Sequence, residues 1–161
     1  MSWAFIKNRP VRRPRPSNRV RLRTQGQMNK HLVFVYGTLR RGSARAMSIR
    51  FPGSKFIAEA KVSGGLYDLG AYPGLLLSEP NSLVIGEVYE VSDELLNELD
   101  DFEAASNYSR KQVEIFLGSD RRTSWIYEPN PEFYSLRKSI RSGDWIEYAK
   151  TKTDWPDEPE S

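Results

Sequence analysis

The chain of 161 residues contains no cysteine and a single histidine, His31. The first absence excludes disulfides, thiolate nucleophiles and cysteine-held zinc. The second leaves any Ser-His-Asp triad or histidine-rich metal centre dependent on one residue, which stands at the entry to an apolar run and reads as an ordinary surface side chain. Long apolar runs are missing too: none nears the roughly 20 residues of a membrane span. Trp3-Ala4-Phe5-Ile6 is too short for the apolar region of a secretory signal, and Arg12-Arg13 followed by Pro14-Arg15 does not suit a twin-arginine signal. A cytoplasmic location is expected, with no membrane partner. Catalysis would then have to run on carboxylates, hydroxyls and backbone groups.

Acidic residues are absent from residues 1–30, which hold nine lysines and arginines. Of the 24 basic and 21 acidic residues in the whole chain, the remainder keeps 15 and 21, a net charge of −6. The formal +3 therefore belongs to one end and says nothing about the ligand of the rest. Residues 1–27, rich in Arg, Pro, Asn and Gln without apolar periodicity, read as a disordered basic tail. It is open whether they form an arm for nucleic acid, a plain solvated tail, or a stretch upstream of a natural start at Met28. Residues 28–150 are expected to form one domain, and residues 151–161 a frayed acidic tail.

What is present begins with Leu32-Val33-Phe34-Val35-Tyr36, a continuous β-branched and aromatic run of the kind buried on both faces of a sheet. Further strands are expected at 55–62, 82–91, 111–117 and 123–127, the last two joined by a hairpin at Gly118-Ser119-Asp120. Leu66-Tyr67-Asp68-Leu69 leads to a turn at Tyr72-Pro73-Gly74 before Leu75-Leu76-Leu77. Short helices are expected over 43–49 and 133–140. A longer one is expected from an N-cap at Ser92 to Phe102 or Glu103, with Asp93 and Glu94 in its first turn. Strands outnumber helices and do not alternate with long ones, so the fold class is α+β.

The longer helix carries an acid where its pattern asks for an apolar residue. With Leu99 at zero on an ideal wheel, Leu95 lies near about −40°, Phe102 near about −60° and Leu96 near about +60°. Glu103 falls at about +40°, between Leu99 and Leu96. Glu94, Glu98, Asp100 and Asp101 lie roughly 100° or more from the stripe, as solvated charges do, with Asp100 and Asp101 the best placed to support a neighbour. A buried carboxylate near a helix C-terminus has a raised pKa, suited to a general base near neutral pH. Periodicity leaves a second reading open, in which the helix ends one residue earlier and Glu103 turns to solvent.

The first strand ends in Tyr36-Gly37-Thr38-Leu39-Arg40-Arg41-Gly42. A glycine break there can present consecutive backbone N–H groups to an oxyanion or carboxylate, or it can be a plain turn. It is neither a Walker loop nor a dinucleotide fingerprint.

Together these segments resemble the γ-glutamylcyclotransferase-like family, in particular its small bacterial and γ-glutamylamine cyclotransferase branches. The pieces are Val35-Tyr36-Gly37-Thr38-Leu39 with Gly42, Gly86-Glu87-Val88-Tyr89, and Leu99-Asp100-Asp101-Phe102-Glu103 followed by Tyr108-Ser109-Arg110. Trp125-Ile126-Tyr127 and Ser142-Gly143-Asp144-Trp145 complete them, in the family's order. The resemblance implies a small mixed β-barrel with flanking short helices and a cavity at one end. It implies backbone donors at Tyr36, Gly37, Thr38 and Leu39 and a catalytic base at Glu103, the residue the helical wheel isolates. Tyr36, Tyr108 and Tyr127 are candidates to line the cavity, or to pack as barrel aromatics. Arg110 meets either a substrate carboxylate or the strand surface; Asp144 and Trp145 read as turn and packing residues. Ala104 departs from the family, many of whose members have glycine there.

The implied reaction is attack by a substrate's own α-amine on its γ-glutamyl carbonyl, releasing 5-oxoproline and an amine. The substrate is a small γ-glutamyl molecule whose leaving group the sequence does not specify, and no metal or organic cofactor is implied. Two other functions compete: a non-catalytic metabolite-binding domain on the same scaffold, and a nucleic-acid-associated protein using the basic arm. The last predicts steep salt-dependent binding to nucleic acid that disappears when residues 1–27 are deleted; binding unchanged by that deletion removes it.

Overall fold

A computed structural model describes residues 29–79, 82–130 and 138–152. The basic segment 1–27, most of the helix expected over 133–140 and most of the acidic tail lie outside them. In chain order the elements are β1 (Lys30–Val35), α1 (Met47–Arg50), β2 (Lys55–Ser63), β3 (Gly65–Asp68), β4 (Pro73–Leu76) and β5 (Leu83–Ser92). Then follow α2 (Asp93–Ala104), β6 (Tyr108–Leu117), β7 (Asp120–Pro129), β8 (Lys138–Ser139) and α3 (Trp145–Ala149).

Five strands close a mixed barrel in the order β1-β5-β2-β6-β7. The seam between β7 and β1 is parallel, with Val33 opposite Trp125, and the other pairings are antiparallel. β8, β3 and β4 form a separate antiparallel sheet. The α+β barrel with short flanking helices is the expected architecture.

β1 shows why its sequence is apolar throughout. Phe34 and Tyr36 join the cluster inside the barrel with Val62, Val84, Val88, Ile115 and Ile126. Val33 and Val35 point outward into a second cluster with Leu96 and Leu99 of α2 and Met47 of α1. Successive strand residues face opposite sides, so a strand covered on both faces needs an unbroken apolar run. β5 repeats the alternation, with Val84 and Val88 inside and Tyr89 and Val91 outside. Between them Gly86 leaves room for Phe34: a Cβ there would lie 2.5 Å from the Phe34 ring and 2.4 Å from the Val35 carbonyl oxygen.

Several boundaries differ from expectation. α1 starts at Met47, not Ser43, because the Ser43 hydroxyl accepts from the Arg45 N–H in a local turn and the Met47 N–H is taken by the Leu39 carbonyl. β6 and β7 are longer than expected, β7 beginning at Asp120 directly after the turn and both strands continuing at the open end to Tyr108 and Pro129. Gly118, at φ 62°, takes the first central position of the two-residue turn. Lys138 and Ser139, expected at the end of a helix, instead pair with Asp68 and Tyr67 as a strand. Asp144 caps α3 by accepting from the Glu147 N–H, and Trp145 is fully buried in the barrel cluster. His31 meets the Asp93 carboxylate on the surface. Among the described residues no helix is long and apolar enough to cross a membrane.

Gly86→Ala is expected to destabilise the fold by about 1–3 kcal/mol, because the added methyl has backbone on one side and a packed ring on the other. The measurement is the urea unfolding midpoint, and an unaltered midpoint would mean that the Phe34 ring moves aside freely.

Candidate active site

The segment leaving β1 is held from beneath by a buried carboxylate. Glu87, 2% exposed on β5, accepts the Arg41 N–H at 3.0 Å and the Tyr89 hydroxyl at 2.9 Å. The Arg40 and Arg41 Nε atoms lie 3.7 and 3.6 Å from it. Arg40 reaches on to Asp144 at 2.8 Å, tying the same loop to the cap of α3. Above this network, the Arg40 N–H closes a turn onto the Gly37 carbonyl at 3.1 Å. Such a turn leaves the amides of its two central residues unused. No described acceptor claims the N–H groups of Thr38 and Leu39. Gly37 is required by crowding: a Cβ would sit 2.8 Å from Pro73 Cγ.

Tyr36, Gly37, Thr38 and Leu39 line a cavity of about 330 Å³, together with Glu103, Tyr108 and Tyr127. Every site residue expected from the sequence is thus brought to one place. The volume lies at the lower end of the range for small-molecule sites. Among the described residues no three histidine or acidic side chains converge as a metal-ligand set.

Glu103 reaches the cavity because α2 does not stop before it. The helix runs to Ala104, with Leu96 and Leu99 buried and Leu95 and Phe102 packed against the same cluster. The reading in which Glu103 lies beyond the helix end and faces solvent is therefore corrected. Asn107, at φ 66°, then turns the chain into β6. Burial pushes the Glu103 carboxyl up to about 7 from 4.5, with no ion pair or hydrogen bond to offset it. Glu103 also helps raise the hydroxyls of Tyr108 and Tyr127, in each case after the larger effect of burial.

The tyrosines are anchored as well as exposed to the cavity. The Tyr36 hydroxyl donates to the Tyr127 carbonyl at 2.6 Å and accepts from the Leu75 N–H at 3.3 Å. Tyr108 donates to the Pro73 carbonyl at 2.6 Å. Tyr127 donates to Asp100 at 2.7 Å, and Asp100 in turn meets Arg110 Nε at 3.1 Å. Asp100 precedes Glu103 by three residues on α2, so this bond sets the helix against β7 one turn from the acid. Arg110 stacks its guanidinium 4.2 Å over Trp125 and does not line the cavity.

Other lining residues had no role from the sequence: Arg45, Arg50, Tyr72, Pro73, Phe102 and Ser106. Glu87 was legible only as part of a motif, although an acid in an apolar strand was a signal that it must be paired. The arginines gave no signal, since a basic residue in a polar loop ordinarily reads as solvated. Ala104 is exposed and away from the cavity, so its difference from glycine does not alter the lining; Ala105 and Ser106 do line it.

Fold and site define a small closed-barrel protein with one unpaired carboxylate and free turn amides in a common pocket. Residues 33–147 match the family model for γ-glutamyl cyclotransferase, AIG2-like proteins. A γ-glutamylcyclotransferase candidate from Vibrio cholerae is 41% identical over 119 residues, covering 73% of this chain and 97% of its own length. The γ-L-glutamyl-butirosin B γ-glutamyl cyclotransferase of Niallia circulans is 33% identical over 124 residues, covering 72% and 76%. Among solved structures, an AIG2-like protein from Mus musculus superposes with a TM-score of 0.59 at 26% identity, covering 70% of this chain and 86% of that one. The chain belongs to the γ-glutamyl cyclotransferase, AIG2-like family, and is an enzyme of the γ-glutamylcyclotransferase type.

The raised carboxyl has a consequence that does not involve turnover. A folded-state value of about 7 against 4.5 means that the native state binds the proton more tightly. Stability is therefore lost as pH rises from about 4.5 through about 7, and the full cost persists above that window. Glu103→Gln removes this cost, so the variant is expected to be more stable than wild type at pH 8 by up to roughly 3 kcal/mol. The difference should vanish towards pH 4.5. Unfolding midpoints across this range check it, and parallel curves for the two proteins would mean that Glu103 is solvated.

Proposed function

We propose that the protein converts a γ-glutamyl amine or γ-glutamyl amino acid to 5-oxoproline and a free amine, with Glu103 as general base. The observation that carries this reading is one half-buried carboxylate, its pKa pushed up to about 7 by desolvation, in the same pocket as the unclaimed Thr38 and Leu39 amides. The names of the relatives support the reaction class.

In the proposed step Glu103 removes a proton from the substrate's α-ammonium, and the freed amine attacks the γ-carbonyl carbon. A new C–N bond closes the five-membered ring, the carbonyl becomes a tetrahedral oxyanion, and its collapse breaks the original γ-amide bond. The proton held by Glu103 passes to the departing nitrogen. Glu103 then takes the second proton from the ring nitrogen, and that proton is released with the amine, which leaves as an ammonium ion. No water is consumed and nothing is oxidised or reduced. The nucleophile comes from the substrate, which suits a chain lacking cysteine.

Backbone N–H groups at Thr38 and Leu39 would stabilise the oxyanion or hold the substrate carboxylate. Their orientation is maintained by Glu87 beneath the loop. Tyr36, Tyr108 and Tyr127 wall the pocket, and the hydroxyl protons of Tyr108 and Tyr127 are directed to protein acceptors, so the oxygens of these two would accept from the substrate ammonium. The pocket's main contribution would be to hold amine and carbonyl in attack geometry. Well-oriented intramolecular reactions gain up to about 7–11 kcal/mol in this way.

The test is release of 5-oxoproline from a panel of γ-glutamyl amines and γ-glutamyl amino acids. Wild type is expected to turn over at least one substrate, with kcat/KM rising as pH passes through about 7, where Glu103 loses its proton. Glu103→Gln is expected to lower kcat by at least about 100-fold. Equal activity in both proteins removes Glu103 from its role; a panel wholly inert with wild type, yet bound by it, leaves a metabolite-binding domain.

A further inference from the structure

The cavity contains two positive charges that the reaction scheme does not use. Arg45 and Arg50 flank the segment from the turn to α1, and both line the pocket with Phe102 and Glu103. The other arginines near the site are committed to carboxylates: Arg40 to Asp144 and Glu87, Arg41 to Glu87 and Glu59, Arg110 to Asp100. Arg45 and Arg50 have no carboxylate partner among the described residues. Arg50 instead lies 4.8 Å over the ring of Phe102, the residue before Glu103. That contact turns the guanidinium of an otherwise exposed side chain towards the pocket wall. Arg45 is half-buried.

Among the described residues Glu103 is the only acid lining the cavity, and no ion pair joins it to either arginine. Both guanidiniums therefore share the cavity with the base without pairing to it. A γ-glutamyl substrate brings one ammonium and one carboxylate on the glutamyl part. The proposed scheme gives the ammonium to Glu103, and the turn amides can take the carboxylate. Two further cations then call for negative charge on the part that departs, and repel a leaving group that is itself cationic.

The geometry points to Arg45 and Arg50 as the specificity-determining residues for the leaving group, selecting γ-glutamyl compounds whose departing amine carries a carboxylate. This inference rests on the proposed cyclotransferase reaction and adds to it which residues choose among its substrates. Guanidinium–carboxylate recognition is directional and charge-assisted, and an arginine held against a ring loses little freedom on binding.

Three substrates that differ only in the departing amine isolate this effect: γ-glutamyl-alanine, γ-glutamylethylamide, which lacks only the carboxylate, and γ-glutamyl-putrescine, which adds a cation. Wild type is expected to favour the first over the second by about 10- to 100-fold in kcat/KM, and over the third by more. In Arg45→Gln, Arg50→Gln and the double variant the ratio of the first to the second should fall stepwise towards one. A ratio unchanged by the substitutions, or a wild type that prefers the ethylamide or putrescine compound, overturns the inference. Equal loss on all three substrates also overturns it, because the arginines would then hold the glutamyl part. Calorimetric binding of the same compounds to wild type and to the arginine variants separates this from the reaction itself. Arginine-dependent preference in binding without turnover would defeat the cyclotransferase reading and leave carboxylate selection standing. Turnover without that preference would do the reverse.

Discussion

The site depends on one buried carboxylate that does no chemistry. Glu87 is placed on β5 under the loop that leaves β1, where it takes the Arg41 amide, the Tyr89 hydroxyl and two guanidiniums. A charge so deeply withdrawn from water costs several kcal/mol unless it is fully matched, and these partners supply the match. Because one partner is a backbone amide, the pairing constrains the path of the chain as well as side-chain positions. Arg40 extends that constraint to α3 through Asp144. The turn above then holds the unmatched Thr38 and Leu39 amides on a base fixed by these contacts.

Glu103 is the opposite case: a carboxylate that the fold half-buries and leaves without partners among the described residues. Leu96, Leu99 and Phe102 hold α2 against the barrel, and the helical repeat carries Glu103 to the same side. Burial without pairing raises the pKa, so the stability that packing contributes is partly offset at this position. Asp100, one turn earlier, meets Tyr127 and Arg110 and keeps its helix in register with β7. Two acids on one helix therefore have different environments, and the difference follows from which of them finds a donor.

The balance of charge in the cavity has the same origin. The acids near the site are divided between those that organise it, Glu87, Asp100 and Asp144, and the single one that faces into it. Arginines follow the complementary division. Arg40, Arg41 and Arg110 are consumed by the organising acids, and Arg45 and Arg50 remain for the cavity. A domain with an excess of acidic residues can thus present a pocket with an excess of positive charge.

Local information was enough for the barrel's central strands, the start of α2 at its Ser92 cap and the position of Glu103 on the apolar stripe, though not for the end of that helix at Ala104. Strand alternation, helical periodicity and capping depend on neighbours within a few residues, and a single sequence records those directly. Ordered motifs added the barrel and the candidate residues around it. Contacts between distant segments were not legible: Arg40 with Asp144, Tyr108 with Pro73, Tyr127 with Asp100, or the closure of β7 on β1. Nor was the start of α1, because a carbonyl eight residues earlier takes the Met47 amide. By itself the sequence determined which residue types were available for chemistry, an acid, amides and hydroxyls without thiol, and which of them local periodicity would bury. Only the tertiary structure decided which acids found partners, which arginines were left over and what they face, because pairing depends on distances that chain neighbours do not set.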